Sequence, residues 1–233
     1  MLSDLWDSIE VYRVDPPFEL VVATGLLALA CVAIDVVWRQ TRNVVTIVHE
    51  GGHAVAALLT GRRLTGIRLH SDTSGLTLSV GKPSGLGMIV TAAAGYVSPS
   101  LVGLTGVVLL AYGQVTVMLW TGLAVLVGML VMIRNVYGVL SLLVVGAVVL
   151  GVSLRADPDV QAAFAYGMTW FLLLGAVRPV TELQRHRRRN PGALSDADTL
   201  ARLTHVPAAM WVLFFATLTI ATALAGTYLL LTA

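Results

Sequence analysis

The chain has 233 residues, 57% of them hydrophobic and 12% charged, a formal net charge of +2 and a mean hydropathy of +0.83. Soluble domains carry about twice that fraction of charge, so a water-soluble globular protein is excluded and the length suits one multi-pass helical bundle. Cys31 is the single cysteine, which excludes an internal disulfide and any cysteine-built metal cage.

The first nineteen residues hold Asp4, Asp7, Glu10, Asp15 and Glu19 against Arg13. A secretory signal has a basic start and a small-residue cleavage site, so the first apolar run is expected to be retained as a span. Roughly 20 apolar residues cross a bilayer as a helix. Such runs fall at about 20–38, 43–60, 86–112, 114–133, 136–154, 160–180 and 208–231. They predict an all-α multi-pass membrane protein with six to seven transmembrane helices, because helix satisfies the backbone within lipid. The second run is marginal because of its polar residues, and the third is long enough to tilt or break near Gly95 and Pro99. Residues 1–233 read as a single membrane-embedded domain.

Residues 63–82 alternate apolar and polar on both sides of a turn. Thr65, Ile67 and Leu69 take one parity, and Leu76, Leu78 and Val80 match it on the return. His70 to Gly75 supplies turn chemistry, so a short β-hairpin is predicted at the membrane surface. Residues 181–206 read as a cytoplasmic basic loop: Arg185, His186, Arg187, Arg188 and Arg189, then Asn190-Pro191-Gly192. Ser195 with Asp198 is a capping-box pattern and predicts a short helix over about 196–204.

Lysine and arginine favour cytoplasmic loops. With seven spans and a cytoplasmic N-terminus, Arg13, Arg62, Arg63, Arg68, Lys82, Arg134, Arg178, Arg185, Arg187, Arg188, Arg189 and Arg202 lie inside, and Arg39, Arg42 and Arg155 outside. That orientation makes the hairpin and the basic loop cytoplasmic. Beside a span, the basic run is expected to meet anionic lipid headgroups rather than nucleic acid.

The marginal second run carries His49, Glu50 and His53 as H-E-x-x-H. Helical positions i and i+4 share a face, so the two imidazoles can bind one Zn²⁺, with Glu50 as general base toward a bound water. The competing reading is a packing hydrogen bond among Glu50, His49 and a neighbouring span. A carboxylate inside a bilayer costs on the order of 2.5–3.5 kcal/mol, which favours a functional role. A catalytic zinc needs a third protein ligand. Asp157 and Asp159 fall on the outer side, and Asp35 is expected to pair with Arg39. The cytoplasmic candidates are Asp72, Glu182, Asp196 and Asp198. Asp72 suits a turn and Glu182 a partner for arginines, which leaves Asp196 as first choice, with helix capping an equal alternative for it.

H-E-G-G-H-A, L-L-T-G-R-R and G-I-R-L-H-S-D-T-S-G, with R-N-V-Y-G (Arg134 to Gly138) and S-D-A-D-T-L-A-R-L-T (Ser195 to Thr204), are a recognisable set. From about Asn43 to Trp211 the chain resembles membrane zinc metallopeptidases of the site-2 protease type, and more narrowly the B-like branch of peptidase family M fifty. The resemblance implies a helical membrane core, a zinc site on the cytoplasmic side of mid-membrane, and hydrolysis of peptide bonds in membrane-anchored protein substrates. His49 and His53 would be ligands and Glu50 the base. Better-known members carry N-x-x-P followed by L-D-G, whose aspartate is the third ligand. Here Asn135 and Gly138 match the first half, but Leu142 to Gly146 contains no aspartate, so the third ligand must come from elsewhere. Asn135 is expected either to polarise a substrate carbonyl or to join helices as a polar contact, and Arg134 to snorkel to the surface. The hairpin edge would hold an unfolded substrate span extended, or merely plug the surface. The alternative function is a catalytically inactive membrane protein of the same fold with a metal-binding or partner-binding role. A transporter is disfavoured, since no inverted repeat is visible.

Overall fold

A computed structural model describes residues 16–190 and 194–232. Arg13 with the acidic N-terminal residues, and Pro191-Gly192, lie outside the described residues. The chain runs α1 (Phe18–Ala33), α2 (Asp35–Thr41), α3 (Asn43–Leu59), β1 (Arg63–Leu69), β2 (Gly75–Val80), α4 (Leu86–Ala111), α5 (Val115–Met132), α6 (Val136–Arg155), α7 (Pro158–Gly175), α8 (Val177–Arg189), α9 (Asp196–Thr204) and α10 (Ala208–Thr232). It is an all-α multi-pass architecture with one small antiparallel sheet.

The seven apolar runs resolve into five helices long and apolar enough to cross a membrane, or six when the bent α1–α2 pair is taken as one span. The run at 20–38 breaks at Ile34, where α2 turns 98° from α1. The run at 43–60 forms α3, only 17 residues long. It starts beside the end of α7, with Val45 against Gly175. The third run is one 26-residue helix that keeps Pro99 inside it. The basic run is no loop: Arg185 to Arg189 lie in α8, which continues α7 as a 32-residue rod.

Directions follow from contacts along the helices. The Trp170 indole donates to Val21 O, and the Arg178 guanidinium reaches Val32 O, so α1 runs parallel to α7–α8. Gly106 faces Thr169 while Gly103 faces Leu173, so α4 runs antiparallel to α7. His53 bonds Thr91, and Thr60 packs on Gly87, so α3 is also antiparallel to α4. Hence α1 and α3 descend in the same sense with α2 crossing between them. The turn is held by charge. Arg178 binds Asp35 and lies 3.3 Å from Glu182, which also accepts from the Trp38 indole at 2.8 Å. Asp35 therefore pairs with Arg178 rather than with Arg39, because the bend at Ile34 aims it across the bundle toward α8.

The hairpin pairs Arg63↔Val80 through Leu69↔Gly75, with an irregularity between Leu64 and Gly66. Ile67 and Leu69 are fully buried among Ile47, Met129, Ile133 and Leu142. The register sets Ile67 opposite Thr77 and Leu69 opposite Gly75. Leu76, Leu78 and Val80 are exposed on the other face, so the apolar sets of the two strands do not share a face as the alternation suggested. Side chains alternate between faces along a strand, and the register set by the 70–74 turn pairs Arg68 with Leu76 and Gly66 with Leu78, which puts these leucines on the face opposite Ile67 and Leu69.

β1 is fastened on its second side by the α5–α6 turn. Arg134 N donates to Ile67 O, and Ile133 bridges Ile67 in parallel sense. The Asn135 amide donates to Leu69 O at 2.6 Å and accepts from Leu69 N at 3.2 Å. Both ends of that amide are engaged with the β1 backbone, so Asn135 extends the sheet by one side chain. Arg134 folds back to donate to Val131 O and Ile133 O instead of snorkelling, which satisfies the end of α5. Asn135→Ala should destabilise the protein by about 1–3 kcal/mol, because it leaves the Leu69 backbone half-buried and unpaired. The check is limited proteolysis: cleavage at the 70–75 turn should accelerate while metal content stays unchanged.

Candidate metal centre

H-E-x-x-H sits at the middle of α3, two turns inside either end. His49 and His53 project from one face, and their Nε2 atoms lie 3.1 Å apart. The His53 Nδ1 donates to Thr91 O at 2.7 Å. A carbonyl only accepts, so this bond places the proton on Nδ1 and leaves Nε2 as a lone-pair donor. The Tyr96 ring meets His49 edge-on at 4.8 Å and stacks on Phe215 at 5.0 Å, which fixes the His49 imidazole from the α4 side.

The structure brings Asp196 to this pair. Its Oδ2 is 3.3 Å from the Nε2 of both His49 and His53, and the three form a group able to hold a metal ion. Capping is done by its neighbours. The Ser195 side chain accepts from Asp198 N, and Asp198 in turn takes the Ser195 N–H and hydroxyl. Asp196, the next residue in, is free of that task. Asp198 is further committed to Arg187, which donates from Nε at 3.0 Å and from Nη2 at 2.7 Å. Burial opposes ionisation of Asp198, but Arg187 and Ser195 outweigh it and hold the carboxyl below its ordinary value. The other candidate ligands fall away on geometry. Asp72 closes the hairpin turn by accepting from Ser74 N and Oγ. Glu182 serves Trp38, Arg42 and Arg178.

The residues present fit a metal. A cradle exists that a side chain would fill: a Cβ on Gly95 would stand 2.4 Å from His53 Nε2 and 2.5 Å from His49 Nε2. Two neutral nitrogens and one carboxylate oxygen suit Zn²⁺, and three protein ligands are the number of an open catalytic site. Neither Lys nor Arg pairs with Asp196 among the described residues; its partners there are the two histidines.

Glu50 is 4% exposed and lies under β2. The Thr77 hydroxyl donates to its Oε2 at 2.7 Å, and a Cβ on Gly75 would fall 2.5 Å from its Oε1. A cleft of about 220 Å³ opens along α3 from His49 and Glu50 toward Arg42 and Trp38, between the hairpin turn at Thr73–Gly75 and Tyr96 with Pro179.

The model of the Peptidase M50B-like family matches residues 22–226, from within α1 to within α10. The chain belongs to the Peptidase M50B-like family. No curated protein and no solved structure matches it. The family match takes in both the H-E-x-x-H helix and α9, the two segments that meet at the site, and a membrane peptidase-type protein is what the family and the apolar helices together describe.

Thr77, Gly75, Gly95, Thr91 and Tyr96 all shape the site, and none was identified from the sequence. Each acts across a distance of many residues, and a lone Gly or Thr in an apolar or strand pattern carries no signal of that. Gly95→Ala should displace both imidazoles and lower metal occupancy at least about tenfold, an effect of the size expected when the surroundings of a ligand are disturbed. Gly75→Ala should leave metal content unchanged, because its Cβ meets Glu50 alone. Metal analysis of the two purified variants beside wild type separates these outcomes.

Proposed function

We propose that the protein is an intramembrane zinc endopeptidase acting on membrane-anchored protein substrates. The observation that carries this reading is the convergence of His49, His53 and Asp196 within 3.3 Å, with the buried carboxylate of Glu50 one residue from His49. Zinc in such a donor set supplies Lewis acidity toward water and the scissile carbonyl.

The chain's own groups divide the remaining work. Thr77 ties down Glu50 Oε2, so Oε1 is the atom that takes the proton from the attacking water and returns it to the leaving amine. Thr91 holds His53 by its Nδ1 proton. Asp196 approaches from α9, outside the spanning helices, and α9 is moored by Ala197 and Leu200 in the core against Val180, Phe215 and Ala92. β2 has no strand partner on its outer edge among the described residues. That edge starts at Gly75 beside Glu50 and supports docking of an extended substrate by main-chain hydrogen bonds.

Charge supports the orientation. Arg62, Arg63, Arg68, Lys82, Arg134 and the α8 arginines gather at the end of the bundle that holds the hairpin and α9, which makes that end cytoplasmic. The parallel course of α1 and α7 then favours a start of α1 at the opposite face, the reverse of the seven-span expectation.

Purified wild type should carry about one zinc per chain, the load of a single three-ligand site. Asp196→Ala and His53→Ala should both lose it. Glu50→Gln should keep the metal while cleavage of a single-span substrate falls about 10²- to 10⁴-fold, the usual contribution of a general base. Retained cleavage in Glu50→Gln sinks the mechanism. A zinc-loaded wild type that cleaves nothing points instead to a binding role for the same fold.

A further inference from the structure

We infer that Arg42 forms a carboxylate-binding subsite in the cleft, taking an acidic group about three residues from the scissile bond. This rests on the reading of the site as a peptidase and names part of what it selects.

Arg42 precedes α3 and shares its cleft-facing side with Thr46 and His49. Seven residues of helix separate Arg42 from His49, about 10 Å along the axis. An extended peptide rises roughly 3.3 Å per residue, so a group held at Arg42 lies about three residues from one held at His49 and Glu50.

The guanidinium is steadied from one side and unspent on the other. It lies 5.8 Å over the Trp38 ring. Its Nη2 is 3.1 Å from Glu182 Oε2, yet that oxygen has no hydrogen-bond donor. The contact is thus a charge pairing without alignment, and the five N–H groups of the fork keep their directions. Glu182 is the one acidic partner of Arg42 among the described residues, and it is shared with Arg178 and Trp38. No hydrogen bond joins the neighbouring hydroxyls to Arg42: Thr46 Oγ1 donates to Thr73 O, and Ser74 Oγ to Asp72. Clamping the α1–α2 bend does not require Arg42, because Arg178 already binds Asp35, Val32 O and Glu182. The Arg42 side chain is 30% exposed in the cleft, so its donors are open to a ligand there. A planar fork matches a carboxylate in bidentate fashion better than any other common peptide group.

The carboxylate can be an acidic side chain or the free C-terminus of a pre-cut substrate, and one experiment separates the two. Labelled apolar nonapeptides with amidated ends carry one Glu placed in turn at each position. An all-Gln parent and a parent with a free C-terminal carboxylate complete the set. Binding is read by fluorescence anisotropy on detergent-solubilised Glu50→Gln protein, which does not consume the probe. One Glu register, or the free-carboxylate parent, should bind about tenfold tighter than the amidated parent, the gain of a charge-assisted bidentate pair. Adding Arg42→Gln should erase that preference and leave parent binding as it was. Equal binding of all peptides, no measurable binding, or a preference that survives Arg42→Gln each overturns the subsite. Should Arg42→Gln fail to fold, Arg42→Lys gives the same reading: the preference drops at least about threefold when the fork is lost, and an undiminished preference overturns it. Zinc content in the same preparations tests the metal centre separately. A zinc-free protein with an Arg42-dependent preference sinks the hydrolase reading and keeps the subsite.

Discussion

The approach of Asp196 to His49 and His53 is the constraint that the rest of the structure serves. The three groups come from two segments far apart in sequence, one in the bundle and one on a nine-residue helix at its end. Two imidazoles and a carboxylate converging on one point are the donor set of a metal site. What the protein must supply is placement. α4 gives it through Gly95, whose lack of a side chain lets the helix backbone lie against both rings, and through Thr91 and Tyr96, which orient them. α9 gives it by closing its own first turn with Ser195 and Asp198 and tying that turn to α8 through Arg187. Capping, usually a matter of local stability, here also frees Asp196 to face inward.

The hairpin is the second dependency. It covers Glu50 with β2 and is itself fixed by Asn135 and the α5–α6 turn through β1. The two sides of one small sheet thus have different fates. The β1 side is sealed by a side-chain amide that imitates a strand, and the β2 side stays open next to the Glu50 carboxylate. Two strands alone are marginal in water, and the burial of Ile67 and Leu69 between α3 and α6 is what makes this pair rigid enough to position anything.

Much of this was legible in the sequence, for definite reasons. H-E-x-x-H is local, so its helical face could be read from spacing. Ser195 and Asp198 are three residues apart, and α9 begins at Asp196, one residue after the predicted cap. Asp196 was reachable by sorting acids by side of the membrane, although the seven-span count used for the sorting did not hold. What was missed is non-local. The break at Ile34 has no proline or glycine to announce it. It depends on Arg178 and Glu182 roughly 145 residues away, as the pairing of Asp35 shows. Leu76, Leu78 and Val80 alternate correctly, but alternation does not say which face is buried until the turn has set the register. Asn135 was weighed as a catalytic donor or a helix contact, and its partner proved to be a strand that only the tertiary fold brings near.

The break at Ile34 also explains how a polar site can exist in so apolar a chain. A single unbroken span would carry the ionisable residues of α3 through the full hydrocarbon thickness. Turning at α2 lets α1 take the first part of the crossing and leaves α3 to begin inside the bundle and run only to the end that holds the hairpin. His53 then lies eight residues, roughly 12 Å of helix, from Gly61 at that end. The charged groups that make the turn, Arg178, Asp35 and Glu182, lie with Arg42 in a cluster around Trp38. Of that cluster, Trp38 and Arg42 line the cleft beside His49. Trp38 therefore serves both the turn, through its bond to Glu182, and the wall against which a substrate would rest.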